Sequence, residues 1–264
     1  MANILIVGYG EIGRSIANIY YDINQNRLKE DNDNLYEIFA LDINGPIEGL
    51  EPFLDVDIMH ICIPYTDESE FKAKVLEYFS QYRPRLTIIH STIPMGTTRR
   101  IWEKNPTINI AHSPVMGKHP NLKESILGFI KIIGSPDIEV ANAVKKHFKE
   151  LGIKGSIYNN SEESELAKLL DTTYYGICIV YMQEIYKYCK ENSLDYENVY
   201  KLTNHIYNQG YKDLGIDSIK RPALTFQGEG IGGHCVVENA QILEKQSILT
   251  DFARLITKIG KPKK

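Results

Sequence analysis

Ile4-Leu5-Ile6-Val7-Gly8-Tyr9-Gly10-Glu11-Ile12-Gly13 runs into Ser15-Ile16-Ala17-Asn18-Ile19 near the start of the chain. The apolar quartet reads as a strand and the second run as a helix, with a G-x-G-x-x-G spacing between them. In that setting the glycines permit a tight turn, backbone approach to a pyrophosphate and close helix–strand packing. Backbone N–H groups at the helix start then hold the anion. Gly8, Gly10, Glu11, Ile12 and Gly13 are therefore candidate cofactor-binding residues. The second strand ends Phe39-Ala40-Leu41-Asp42. A carboxylate there hydrogen-bonds the ribose hydroxyls and repels a 2′-phosphate, which favours NAD over NADP. Asp42 stands farther beyond Gly13 than the ~20 residues usual for this arrangement, because the polar stretch 24–34 reads as an inserted loop.

Outward from this unit, short β-branched runs alternate with amphipathic stretches, the pattern of βαβ units and a parallel sheet. The expected strands are 3–7, 38–42, 58–63, 86–90, 108–112, 131–133 and 156–158. Pro64, Pro94, Pro114 and Pro136 mark where the chain leaves them. Beyond residue 160, Ser161-Glu162-Glu163-Ser164-Glu165 combines hydroxyl capping with first-turn acids and opens a long helix over 162–192. Further helices are expected over 196–210 and 238–245. The fold class is α/β: a Rossmann-type doubly wound parallel sheet, then a long central helix and a small helical domain. The expected division is a cofactor-binding domain over 1–160 and a helical domain over 161–264.

Composition excludes several classes of function. With 264 residues, 43% hydrophobic and 24% charged, the chain is an ordinary globular one. Its formal net charge of −4 provides no positive field for nucleic acid, and the basic tail Lys258, Lys261, Lys263, Lys264 reads as a solvated terminus. No apolar run approaches the ~18 residues of a membrane helix, and no charged leader with a cleavage site precedes Ile4. The expectation is a cytoplasmic protein. Its four cysteines are too scattered for a disulfide framework. His60, His90 and His112, in or at the ends of strands, read as polar residues near the cofactor crevice, and no histidine has metal-ligand spacing.

A second glycine-rich stretch, Gly228-Glu229-Gly230-Ile231-Gly232-Gly233-His234-Cys235, precedes a helix expected from near Val236. A cysteine at a helix N-terminus has a stabilised thiolate, the nucleophilic form. Cys235 is the nucleophile candidate, with His234 a candidate for its activation. Cys62, Cys178 and Cys189 read as small buried hydrophobes. A nicotinamide cofactor and a cysteine together point to oxidation of a primary alcohol to an aldehyde, thiolate addition, a second oxidation to a thioester, and hydrolysis to an acid. A cation is needed near the developing oxyanion, and Lys168, on the long-helix face with Glu165 and Thr172, can supply it.

These residues resemble the UDP-glucose/GDP-mannose dehydrogenase family, which oxidises the C6 alcohol of nucleotide sugars in two NAD-dependent steps. The blocks that carry the resemblance, in order, are 8–13, 40–44, 60–64, 90–98, 111–114, 165–170 and 230–235. The resemblance implies that Cys235 is the nucleophile and that Lys168 stabilises the oxyanion or orients water. It implies that Thr92 lies on the cofactor side or positions water, that Ile43 and Pro64 line the cofactor, and that the long helix forms a homodimer interface. Three positions depart from the family pattern. Val115 follows Ser113-Pro114 where the family has Glu. Thr172 stands four places after Lys168 in place of Asn, and Asn239 stands four places after Cys235 in place of Asp. An amide is no general base at neutral pH, so Glu238 becomes the substitute candidate. The few residues after Cys235 leave no room for the family's nucleotide-binding domain. The substrate is expected to be a sugar or nucleotide sugar. Two other readings stand beside this one: a β-hydroxyacid-dehydrogenase-like enzyme using Lys168, and a non-catalytic NAD-binding or partner-regulating protein.

Overall fold

The computed structural model describes residues 2–47, 49–50, 55–117, 121–232 and 235–260. They form two compact units, Met1–Lys168 and Leu169–Lys264.

In the first unit, β1 (Ala2–Val7), β2 (Tyr36–Asp42), β4 (Ile58–Ile61), β5 (Leu86–Ile89) and β6 (Ile110–His112) form a parallel sheet. The short β3 (Gly45–Pro46) adds to its edge antiparallel to β2. The strand order is β3-β2-β1-β4-β5-β6. Chain order reverses between β1 and β4, and the crevice at the carboxyl ends of such strands is where α/β sheets bind ligands.

The near-continuous apolar strands are explained by cover on both faces. Ile4, Ile6, Ile38, Ala40 and Ile88 point into one core with Ile16 and Ala17 of α1 (Glu11–Lys29) and Val144 and Phe148 of α5 (Ile138–Glu150). Their alternates Leu5, Val7, Phe39, Leu41 and Ile89 point into a second core. There they meet Phe71 and Val75 of α2 (Glu68–Tyr82) and Ile101 of α3 (Thr97–Lys104). β7 (Lys131–Ile133), after α4 (Leu122–Gly128), and β8 (Gly155–Ile157) pair in parallel as a separate two-stranded sheet rather than extending the main one.

One expectation fails here. The stretch 24–34 is not a loop throughout: α1 continues to Lys29. Asn24 and the residues after it are polar because they occupy the end of an exposed helix. The Asn24 side chain holds the start of β2 by exchanging two hydrogen bonds with the Tyr36 backbone, at 2.7 and 2.8 Å.

The helix α6 (Ser161–Glu191) is unbroken over 31 residues. The second unit continues through a π-helical segment (Glu197–Leu202) into α7 (Thr203–Asp213), then α8 (Cys235–Lys245) and α9 (Thr250–Gly260). The helix expected over 196–210 is thus two segments of different winding, with Tyr200 buried in the first and Asn204 in the second. α8 begins at Cys235 itself, and α9 lies beyond the helices expected, although its Phe252, Leu255, Ile256 and Ile259 recur at helical spacing. Gly233, His234 and the tail residues Lys261, Lys263 and Lys264 lie outside the described residues. No helix among the described residues is long and apolar enough to cross a membrane.

Candidate functional site

The turn between β1 and α1 shows why its outer two positions are glycine. Gly8 has φ +93°, and a Cβ there would meet the Cys62 carbonyl carbon at 2.7 Å. At Gly13 a Cβ would fall 2.0 Å from the Gly8 carbonyl oxygen. The chain therefore passes directly against the end of β4 before α1 starts. Gly10 differs, because a Cβ there would meet nothing within 4 Å. It caps α1 without any side-chain hydrogen bond to the first turn, so the turn presents backbone N–H groups of the kind that hold a phosphate. Asp42 is exposed at the end of β2, next to the exposed Ile43, whose N–H it accepts at 2.9 Å. Pro64 is exposed just beyond β4. The donors and the carboxylate match an adenosine dinucleotide's pyrophosphate and ribose in kind.

Thr92 is half-buried in the segment between β5 and α3, and Lys168 is half-buried on α6. Two ties link their neighbours. Glu165 is fully buried and accepts the N–H groups of Gly96 (2.5 Å) and Thr98 (2.8 Å). Ser164 Oγ lies 2.9 Å from His112 Nδ1, while His112 Nε2 donates to the Ser91 carbonyl at 3.2 Å. Desolvation pushes the Glu165 carboxyl up to about 7 and drives His112 down to about 3.

A polar network that the sequence did not disclose lies behind the Ser113–Pro114 turn. His60, His90 and His112 are not lining a crevice: all three are buried. His90 Nδ1 lies 2.8 Å from the Ser113 carbonyl, His60 Nδ1 lies 2.8 Å from His90 Nε2, and Tyr20 Oη lies 2.7 Å from His60 Nε2 and 2.6 Å from His147 Nε2. Burial drives the pKa of His60 and His90 well below the ordinary range and that of His147 to about 4, so all three are neutral at pH 7. A carbonyl can only accept, so His90 must carry its proton on Nδ1. That leaves His90 Nε2 as acceptor and His60 Nδ1 as donor. Tyr20 then donates to His60 Nε2 and accepts from His147 Nε2–H. One backbone carbonyl thereby sets every tautomer back to α5. The same carbonyl accepts from buried Lys131 Nζ at 2.9 Å, which also donates to the Pro114 carbonyl at 2.8 Å. Desolvation pulls Lys131 down to about 7 and pushes the Cys62 thiol up to about 12. A histidine inside an apolar strand was the one available signal of this network.

In the second unit, Cys235 is exposed at the first position of α8. The preceding stretch is anchored to α6 by Gln183, whose amide donates to the carbonyls of Gly230 and, at 3.5 Å, Gly228. Asn239, buried on α8, donates through Nδ2 to Thr172 Oγ1 of α6 at 3.0 Å. The two departures in this unit are thus hydrogen-bonded to each other. Cys178 is half-buried and Cys189 fully buried. Val115 is buried in the apolar core, where a carboxylate would have no place. No group of three or more His, Cys, Asp or Glu suited to a metal occurs among the described residues.

Residues 162–259 match the model of the central domain of the UDP-glucose/GDP-mannose dehydrogenase family. Over that part the chain is similar to the nucleotide-sugar dehydrogenases. It is 26% identical over 266 residues to a UDP-N-acetyl-D-mannosamine dehydrogenase of Methanocaldococcus jannaschii, covering 88% of this chain and 59% of that protein. It therefore spans about three fifths of that relative's length. Among solved structures, UDP-D-ManNAc dehydrogenase of Pyrococcus horikoshii superposes with a TM-score of 0.72 at 20% identity, covering 98% of this chain and 68% of that one. The 3-hydroxyisobutyrate dehydrogenase of Mycobacterium tuberculosis superposes with a TM-score of 0.69 at 11% identity, covering 98% and 92%. At these identities the likeness of structure concerns the fold.

Proposed function

We propose that the chain is an NAD-dependent oxidoreductase that oxidises a primary alcohol of a sugar or nucleotide sugar, with UDP-N-acetyl-D-mannosamine the first substrate to test. The observation that carries this reading is the helix start at Gly10, without a side-chain cap and between glycines that admit no side chain, in a chain whose residues 162–259 match the nucleotide-sugar dehydrogenase central domain. NAD bound there would accept the hydride in each oxidation. The N–H groups after Gly10 hold its pyrophosphate, Asp42 takes its ribose hydroxyls, and Ile43, Pro64 and Thr92 line its place. Cys235 adds through its thiolate to the aldehyde carbon, forming a C–S bond; loss of hydride from that carbon leaves a thioester, and water releases the acid. Lys168 supplies the positive charge beside the oxyanion. Thr172 and Asn239, as a hydrogen-bonded pair, orient rather than deprotonate water, because the Asn239 amide is a donor and no base. Glu238, exposed on the first turn of α8, remains to take the proton.

We take 1–160 as the cofactor domain and 161–264 as a helical domain that forms a homodimer in the cytoplasm. Tyr174, Tyr181 and Tyr188 support the dimer, since they recur at seven-residue spacing along α6 and are 61–63% exposed. A β-hydroxyacid-dehydrogenase-like reaction using Lys168 alone is the second reading, favoured by the commitment of Asn239 to Thr172. The test is NADH formation with UDP-N-acetyl-D-mannosamine, UDP-glucose and 3-hydroxyacids, run beside Cys235→Ala. Turnover of a UDP-sugar that Cys235→Ala abolishes supports the first reading. Turnover of a hydroxyacid by both proteins supports the second. NAD binding without any turnover moves the assignment to a regulatory NAD-binding protein.

A further inference from the structure

The helix α3 has no N-terminal cap of its own: Gly96 stands at the cap position without a side chain to offer. The Thr97 N–H turns back to the Pro94 carbonyl at 3.2 Å, and the N–H groups on either side of it are satisfied from another element. Each oxygen of the Glu165 carboxylate accepts one of them, from Gly96 and Thr98. This is a cap delivered across space by α6, one helical turn before Lys168. The Ser91 end of the same segment is also fixed, because Ser91 Oγ donates to the Ile63 carbonyl at 2.5 Å and the Ser91 carbonyl is reached from Ser164 through His112. Thr92 and the three residues after it are thus bracketed by ties from Ser164 and Glu165, adjacent residues of α6.

We propose that Glu165 is a positioning residue that, by capping α3 in trans, sets the Thr92 segment in register with the turn of α6 that carries Lys168. This rests on the dehydrogenase reading above. A fully buried carboxylate is costly to keep, and its retention needs donors on both oxygens; Gly96 and Thr98 supply them. The charged groups near it, Glu162 on α6 and Arg99 on α3, pair with each other. That pair joins the same two helices without touching the Thr92 segment, so Arg99→Ala serves as the control.

The experiment compares the intact wild-type chain with Glu165→Gln and Arg99→Ala by amide hydrogen exchange over 91–98, by NAD titration, and by NADH formation with UDP-N-acetyl-D-mannosamine. Glu165→Gln keeps the size but turns an N–H donor toward a backbone donor. The expected result is about tenfold or faster exchange at Gly96 and Thr98 and a kcat lowered about tenfold or more, with KM for NAD within about threefold. Arg99→Ala should stay near wild type in all three. Unchanged exchange in Glu165→Gln overturns the proposal. So does an equal loss of kcat in both variants, which would mark a general helix–helix tie. If the wild-type chain binds no NAD and turns nothing over, the dehydrogenase reading fails. The capping contact is then still judged by exchange alone.

Discussion

Tyr20→Phe removes one oxygen from the first unit and should cost it a large part of its stability. The ring of Tyr20 is fully buried, stacked near His147 and edge-on to Tyr36, and phenylalanine keeps all of that packing. The hydroxyl alone is lost, and with it the bonds at 2.7 and 2.6 Å to His60 and His147. His147 Nε2–H is then a buried donor, and His60 Nε2 a buried acceptor, each without a partner. Stranding a buried polar group costs ~1–3 kcal/mol, so the substitution should cost about 2–5 kcal/mol of the ~5–15 kcal/mol typical of a domain. The single tryptophan, Trp102, lies in α3, so its fluorescence in urea follows the first unit. Tyr36→Phe is the matched control, because the Tyr36 hydroxyl accepts a long bond from Arg27 at 3.4 Å and should lose less than about 1 kcal/mol. Nitrogen-15 spectra of the histidines give an independent check, with protons expected on Nδ1 of His60 and His90 and on Nε2 of His147. A Tyr20→Phe loss below about 0.5 kcal/mol, or the opposite tautomer at His90, would refute the directed chain.

Acid should destabilise the first unit from pH ~6.5 downward. His60, His90, His112 and His147 all have depressed folded-state pKa values. Each takes up its proton first in the unfolded chain, at about 1.4 kcal/mol per pH unit per proton, and Glu165, raised to about 7, opposes one of them between pH 7 and 4.5. Urea midpoints read by Trp102 should fall steeply from pH 6.5 to 5, and a flat profile would contradict the neutral assignments. Gly13→Ala should fail to fold stably, because its Cβ would overlap the Gly8 carbonyl. Gly10→Ala should keep the wild-type melting temperature yet bind NAD about tenfold or more weakly by calorimetry, because the methyl enters the space next to the uncapped N–H groups. Asp42→Ser should narrow the preference for NAD over NADP about tenfold in paired titrations; an unchanged ratio would remove Asp42 from the cofactor site.

The parallel sheet was legible because strands buried on both faces must be apolar at nearly every position, and Leu5 and Ile6 serve opposite cores. Gly8 and Gly13 were legible because steric exclusion leaves only one residue type. The length of α1 was not, since the end of an exposed helix and a loop select the same polar residues. The helix α9 was readable, since Phe252, Leu255, Ile256 and Ile259 keep the helical period. Thr92 and Lys168 could be proposed for the candidate site from the sequence, whereas Glu165's partners could not, being backbone N–H groups that leave no mark on the residues at 96 and 98.

The hidden network has the same origin, and it bears on how Val115 should be read. A family glutamate after Ser-Pro would carry charge into the turn, whereas this chain buries Val115 in the core. It stabilises the turn from beneath instead, with two donors, His90 and Lys131, on the single Ser113 carbonyl. Both carbonyl lone pairs are then occupied, which fixes the orientation of the Ser113–Pro114 peptide as firmly as a backbone can be fixed by side chains. The polar residues at 20, 60, 90, 131 and 147 thus hold the turn that precedes Val115. Restoring Glu at 115 alone should destabilise the unit, because the carboxylate would enter the apolar core without a partner, and urea unfolding of Val115→Glu should show a loss of several kcal/mol, of order ~3–5. A stability equal to wild type would mean that the turn is free to rotate position 115 outward, and that the His90–Lys131 clamp on Ser113 is not what holds it.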